Sequence, residues 1–197
     1  MGTLPQNSSK APARDRCQTP NYGVEPLLPY LDALQASFGR KLLIWESARG
    51  EGYLEGYLRK AGYEVHGTDI ETGDDYFKTM DWRYDCEVTN VPFSRKIDWL
   101  QRACERGKPF ALLMPSNTRF TVAGQYLVNK YGIEMLSPIQ RLDYKMPNGS
   151  WDGTAQFHSS WLCRGLGLGK QITDVEILKG KARVKAIADG THVSRVD

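Results

Sequence analysis

The residues whose types and spacing suit chemistry fall in three short runs, each where a strand-like pattern gives way to a turn. The first is ESARGEG (46–52): Glu46 closes the apolar run KLLIWE, and Gly50 and Gly52 occupy the turn before a helix-like stretch. A turn without side chains lets a ligand approach backbone amides, and in doubly wound sheets ligands sit at the carboxyl ends of strands. It is not a phosphate-binding P-loop, because no Gly-Lys-Ser/Thr follows, and it lacks the third glycine of GxGxxG. A carboxylate at its head suits an ammonium-bearing ligand better than a pyrophosphate. The alternative is a purely structural turn.

The second run is YEVHGTDIETG (63–73), which places Asp69 about twenty residues after the loop. A carboxylate there can accept hydrogen bonds from both ribose hydroxyls of an adenosine-type cofactor, or it can cap a helix. The adjoining GDDYF carries Asp74, Asp75, Tyr76 and Phe77, an acceptor for an adenine amino group beside an aromatic surface. Alternatively it is a surface turn followed by core aromatics.

The third run is NVPF, Asn90 to Phe93, at the end of the strand-like YDCEVTN. An Asn at a strand terminus, followed by a stiff X-Pro and an aromatic, converges a side-chain oxygen and a backbone carbonyl on one amine while the ring stacks on its base. Two acceptors raise the nucleophilicity of that amine and aim its lone pair at an electrophilic methyl, so alignment supplies most of the acceleration. The competing interpretation is a strand-to-helix turn in which Asn caps and Pro starts the helix.

The elements that must position these runs alternate. Strand-like KLLIWE (41–46), YEVHGTD (63–69), YDCEVTN (84–90) and PFALLMP (109–115) are separated by helices predicted over about 53–61 and 95–106, with a further helix near 120–131. Strand-like stretches at 133–139 and 155–163 complete the sheet, and a helix is expected over Val24–Phe38, with Pro29 bending it or delaying its start. This order predicts a parallel, doubly wound α/β sheet with helices on both faces. Trp99, Leu100 and Ala103 fit the buried face of the 95–106 helix.

At 197 residues the chain is about one domain, and 41% hydrophobic with 25% charged residues excludes disorder, collagen and coiled coil. No run approaches the roughly 18–20 apolar residues of a membrane span, and the polar start lacks a secretory signal, so a cytoplasmic protein with no membrane partner is expected. Cys17, Cys86, Cys104 and Cys163 lie far apart without a CxxC pair, which argues against structural zinc or a disulfide scaffold. A net charge of +3 permits a nucleic-acid partner. The expected organisation is an arm over 1–16, a domain over 17–170 and an extension over 171–197, with a solvated tail from Lys179.

Taken in order, TPNYGVEPLLPYL (19–31), IWESARGEG (44–52), VHGTDIETGDDYF (65–77) and VTNVPFSRK (88–96) resemble the S-adenosylmethionine-dependent, adenine-specific amino-methyltransferases of phage and bacterial type. The likeness continues more weakly through GKPFALLMPSNT (107–118), RLDYKMP (141–147) and AQFHSSWLC (155–163). It implies a Rossmann-like methyltransferase sheet, mostly parallel with one antiparallel strand. It also implies a cofactor, S-adenosylmethionine, held by Thr19, Pro20, Glu46, Ala48, Gly50, Gly52, Asp69 and Asp75, with Tyr76 or Phe77 near its adenine. Asn90, Val91, Pro92 and Phe93 would form the catalytic element.

The chain departs from the family pattern at Ser47 and Arg49, which stand for the usual Pro and the frequent Cys and read as surface-type substitutions. Val91 replaces the first Pro of the catalytic element but keeps the backbone carbonyl expected to act there. Arg95 and Lys96 are expected to hold phosphates flanking a target nucleotide, and Trp151 to stack on a base or cover a strand edge. Arg102, Arg106 and Lys108 read as a solvated helix face, and His158 as structural. The implied activity is methyl transfer to an exocyclic amino group of adenine in DNA or RNA. The alternative is a methyltransferase-like protein that binds without catalysing.

Overall fold

The structure, a computed structural model, describes residues 15–78, 83–146, 148–150 and 157–196. These form one seven-stranded sheet from β1 (Leu43–Glu46), β2 (Glu64–Gly67), β3 (Cys86–Asn90), β4 (Phe110–Pro115), β5 (Glu134–Pro138), β6 (Ser159–Arg164) and β7 (Ile172–Val175), in the order β2-β1-β3-β4-β6-β5-β7. β6 runs antiparallel to β4 and β5; every other pairing is parallel. The doubly wound, mostly parallel sheet with one antiparallel strand is therefore present.

Period-two alternation sends side chains to two cores. Ile44, Val88, Ala111 and Leu113 face one layer, built on α1 (Leu28–Phe38) and α2 (Tyr53–Lys60) through Leu28, Leu31, Leu54 and Leu58. Trp45, Phe110, Leu112 and Met114 face the other, built on α3 (Lys96–Arg106) and α4 (Val122–Tyr131) through Trp99, Leu100, Ala103 and Leu127. Burial on both faces explains the nearly continuous apolar runs of β1 and β4. Each fully buried Leu or Phe contributes about 1.5–3 kcal/mol by leaving water.

The helix expected from Val24 starts late. Residues Glu25–Leu27 form a 3-10 turn, and α1 begins at Leu28 with Pro29 in its first turn, where a missing N–H leaves no bond unmade. The strand order reverses between β2 and β3 around β1, so the carboxyl ends of β1 and β3 flank the switch point where doubly wound sheets leave a crevice.

The solvated tail expected from Lys179 is absent: Gly180–Ala188 form α5, and the segment is tied to the amino-terminal elements by ion pairs. Arg183, buried, donates to Glu25 at 2.7 and 2.8 Å and to the Ser194 hydroxyl, while Arg195 donates to Asp32 and to the carbonyl of Ala61. Lys179 reaches Asp143, which also accepts from the Tyr22 hydroxyl. The weak apolar pattern of α5 hid it, because charge rather than an apolar stripe docks it. Arg183→Ala leaves the Glu25 carboxylate half buried without its main partner. It should cost about 2–3 kcal/mol, below the full value for a buried pair because Glu25 keeps some solvent, measured by urea denaturation.

Candidate functional site

The turn after β1 is fixed by bonds to both neighbouring strands. Thr68 N donates to the Glu46 carbonyl and Arg49 N to the Thr68 carbonyl, tying the turn to the end of β2. Ala48 N donates to the Thr89 hydroxyl on β3 at 3.1 Å, and Gly50 N to the Asp69 carboxylate at 2.8 Å. Gly50 and Gly52 take φ of 54° and 80°, left-handed values that favour glycine. At Gly67 a Cβ would lie 2.6 Å from Arg49 Cδ and 2.8 Å from Glu55 Oε2, so a larger residue there would have to displace that ion pair. Glu55, buried in α2, pairs with both Arg49 and Arg59.

Glu46 is 2% exposed, and its Oε2 has no hydrogen-bond partner among the described residues. Burial, and then the nearby Glu55 carboxylate, hold its pKa well above the ordinary value, against a smaller opposing pull from Arg49. Asp69 caps the 3-10 turn Ile70–Thr72, accepting from Glu71 N at 2.9 Å as well as from Gly50 N. A carboxylate has about four lone-pair sites, so two backbone donors leave room for ribose hydroxyls. Asp75 accepts from Phe77 N and pairs with Lys78.

At the tip of β3, Asn90 Nδ2 donates to the carbonyl of Cys17 at 3.2 Å, while its Oδ1 is buried without a partner among the described residues. The segment 15–20 crosses both strand tips. Asp15 accepts from Ser94 N and from the Ser94 hydroxyl, Gln18 forms a two-bond bridge with Lys145, and the Gln18 amide lies against Gly50. Thr19, 2% exposed, carries a buried Oγ1 with no partner among the described residues and is followed by the buried Pro20. Thr19 Oγ1, Glu46 Oε2 and Asn90 Oδ1 lie on three of the four stretches that carry the resemblance, 19–31, 44–52 and 88–96, and belong to a larger set of buried, unpartnered side-chain atoms among the described residues, Thr118 Oγ1 and Thr173 Oγ1 being others.

Val91 is 2% exposed and packs into the core beneath α3, and Pro92 leads into a 3-10 turn at Phe93–Arg95. Phe93 meets Phe157 and Tyr144 edge-on, with centroids 5.4 and 6.3 Å away. Tyr144 and Phe157 were not singled out from the sequence; they sit in RLDYKMP and AQFHSSWLC, too far along the chain for spacing to connect them with Asn90. Trp151 lies outside the described residues.

Several expectations need correction. Tyr76 does not present a face to a ligand: it is 3% exposed and stacked on Trp99 at 3.9 Å and 9° and on Trp45 at 5.5 Å. Phe77 stays partly buried, with the Arg95 guanidinium 3.8 Å over its ring. Ser47 is buried rather than surface-exposed, at 2%. Arg106 and Lys108 do not form a solvated face; they lie over Tyr76 and Tyr84 and donate to the carbonyls of those residues. Lys96 donates to the Phe93 carbonyl, and Arg95 bridges to Asp98. His158 is exposed.

Sequence reasoning also missed Glu87, a carboxylate in the central strand β3, 1% exposed. It accepts from Ser47 Oγ at 2.6 Å, from Trp99 Nε1 at 3.3 Å and from the Tyr76 hydroxyl at 3.3 Å. Its signal was a charged residue inside a strand buried on both faces. A separate open cavity of about 400 Å3, lined by residues including Val128, Gly132, Glu134 and Gln171, lies at the opposite end of the sheet from the strand tips.

No protein-family model and no curated protein matches the chain. Among solved structures, similarity extends to a dimethyladenosine transferase from Plasmodium falciparum (12% identity, 68% of this chain and 60% of that one, TM-score 0.38). It extends also to a putative methyltransferase from Thermoplasma acidophilum (12%, 71% and 77%, 0.40) and to the S. pombe Dnmt2 methyltransferase (12%, 67% and 52%, 0.41). The matched region spans less than two thirds of the first and third of these proteins. Likeness at this level carries nothing about activity.

Burial raises the Glu87 pKa from 4.5 to about 7, against the opposing pull of Ser47, Arg106, Tyr76 and Trp99. Because the unfolded carboxyl ionises first, the folded state holds the extra proton between these values. Stability from this group is complete below 4.5 and lost as pH rises through about 7, on the order of 3 kcal/mol. Glu87→Gln should remove that loss, so its urea midpoint should gain on the wild type as pH increases from about 5 to about 8.

Proposed function

We propose that the chain is an S-adenosylmethionine-dependent methyltransferase that acts on an exocyclic amino group, that of adenine in DNA or RNA. The observation that carries this reading is the set of buried, unpartnered polar atoms at the switch point: Thr19 Oγ1, Glu46 Oε2 and Asn90 Oδ1. Buried polar atoms without partners cost about 1–3 kcal/mol each, which a ligand of complementary polarity offsets. Glu46 and Thr19 fit the amino-acid end of the cofactor, and an ammonium beside Glu46 supplies the positive charge its carboxylate lacks. Gly50 and Gly52 allow close approach, and Asp69 and Asp75 fit the ribose and adenine ends.

The bound cofactor supplies an electrophilic methyl on a sulfonium. Asn90 Oδ1, together with the backbone carbonyl of Val91, accepts from the two N–H groups of the target amine and fixes its lone-pair direction. Phe93 stacks on the base, aided by Phe157 and Tyr144. Val91 costs little here, since its side chain serves the core and only its carbonyl is asked to act. A base reaches such a slot only when unpaired or flipped, and Arg95, about half exposed beside the tetrapeptide, is placed to meet an adjacent phosphate.

One observation favours a second reading, a scaffold that binds without catalysing: segment 15–20 occupies the tips, with the Cys17 carbonyl on Asn90 and the Gln18 amide on Gly50. Labelled cofactor incubated with DNA, RNA and protein fractions separates the two. The enzyme reading expects label in nucleic acid and a loss of about a hundredfold or more for Asn90→Ala. Cofactor binding by calorimetry with no transfer to any acceptor supports the scaffold. Glu46→Gln should weaken binding of S-adenosylhomocysteine by about tenfold or more, through loss of the charge opposite the ammonium.

A further inference from the structure

Behind the turn that follows β1, the sequence places a buried serine where the resembling family has proline, and a buried glutamate three residues before Asn90. The two side chains meet: Ser47 Oγ donates to Glu87 Oε1 at 2.6 Å, the shortest of the bonds to that carboxylate. Trp99 and Arg106 on α3 and Tyr76 on the segment after β2 also face Glu87, and its in-register neighbours are Trp45 on β1 and Phe110 on β4, whereas Cys86, next to it on β3, packs into the opposite core. Arg106 is the cation of the set; its guanidinium lies over the rings of Trp45 and Tyr76, and its charge pulls the Glu87 pKa down.

This places a charge-bearing group one hydrogen bond from the loop. Ser47 lies between Glu46, which carries the orphaned carboxylate oxygen, and Ala48, whose N–H is bonded to Thr89. A proline would fix φ through its ring; here the same position is fixed by a side-chain bond, and a side-chain bond can be switched.

We propose that Glu87 is a positioning residue for the cofactor loop, acting through Ser47, and that its ionisation couples cofactor affinity to pH. The proposal rests on the reading of residues 46–52 as a cofactor loop. When ionised, Glu87 is an acceptor only and orients the Ser47 hydroxyl inward; when protonated, it carries a proton of its own, and the Ser47 oxygen becomes an alternative acceptor for it. The loop geometry that presents Glu46 and the Ala48 and Gly50 backbone is the one with Ser47 donating. Cofactor binding therefore favours the ionised form, releases a proton from Glu87 near neutral pH, and strengthens as pH rises.

Two measurements on the full chain test this. In the first, tryptophan emission of the cofactor-free protein is followed from about pH 5.5 to about pH 8.5. Because Trp99 donates to Glu87, a step near pH 7 is expected in the wild type and should vanish in Glu87→Gln. In the second, S-adenosylhomocysteine binding is measured by calorimetry in buffers of different ionisation enthalpy. The wild type should gain about fivefold in affinity from about pH 6 to about pH 8 beyond any gain in Glu87→Gln or Ser47→Ala, and release up to about one proton more than either. Equal proton release and equal pH dependence in all three overturns the coupling while leaving the cofactor reading intact. Failure of the wild type to bind at every pH overturns the cofactor reading and the coupling with it. Ser47→Ala keeps the outcome decisive if Glu87→Gln does not fold, since it cuts the same bond from the other side.

Discussion

A carboxylate buried at the end of β1, in no ion pair among the described residues, is the constraint on which the candidate site depends. Desolvating an ionised group costs far more than a single hydrogen bond returns, so Glu46 is held toward its neutral form. Among the described residues Arg49 pulls against this, but less than burial and Glu55 push the other way. Arg49 turns away to Glu55, which Arg59 also neutralises, and Lys145 is engaged by Glu51 and Tyr53. The reversal of strand order at β1 and β3 sets this carboxylate at the switch point, where doubly wound sheets leave a crevice.

Around that point the molecule separates holding from stiffening. The layer beneath α1 and α2 contributes Glu46, Thr19 and Asn90, each with one buried side-chain atom unpartnered among the described residues. The layer beneath α3 contributes Trp45, Tyr76, Trp99 and Glu87, whose rings and hydrogen bonds back the turn from behind. A single strand residue changes allegiance with each step, so that Asn90 and Glu87, three positions apart on β3, serve opposite faces.

Strand ends and turns were legible in the sequence because glycine spacing and strand-length apolar runs are local signals. β1 to β6, α2 and α3 lie within a few residues of their expected places. Ser47 was misjudged because its burial depends on Glu87, forty residues away, and Tyr76 because its stacking partners stand on β1 and α3. β7 and α5 escaped for the same reason: one is a short edge strand of alternating burial, the other is docked by Arg183 onto Glu25 across 158 positions. Tyr144 and Phe157 join Phe93 only once β4, β5 and β6 are assembled. What spacing does not encode is any partnership made by the tertiary fold.

The tie between Arg183 and Glu25 also has a bearing on how the protein matures. The ion pairs that steady the 3-10 turn at Glu25–Leu27 and α1 join residues 158 and 163 positions apart. Contacts of that separation form only after a long loop has closed, so the central strands can pair before the elements next to Thr19 and Pro20 are secured.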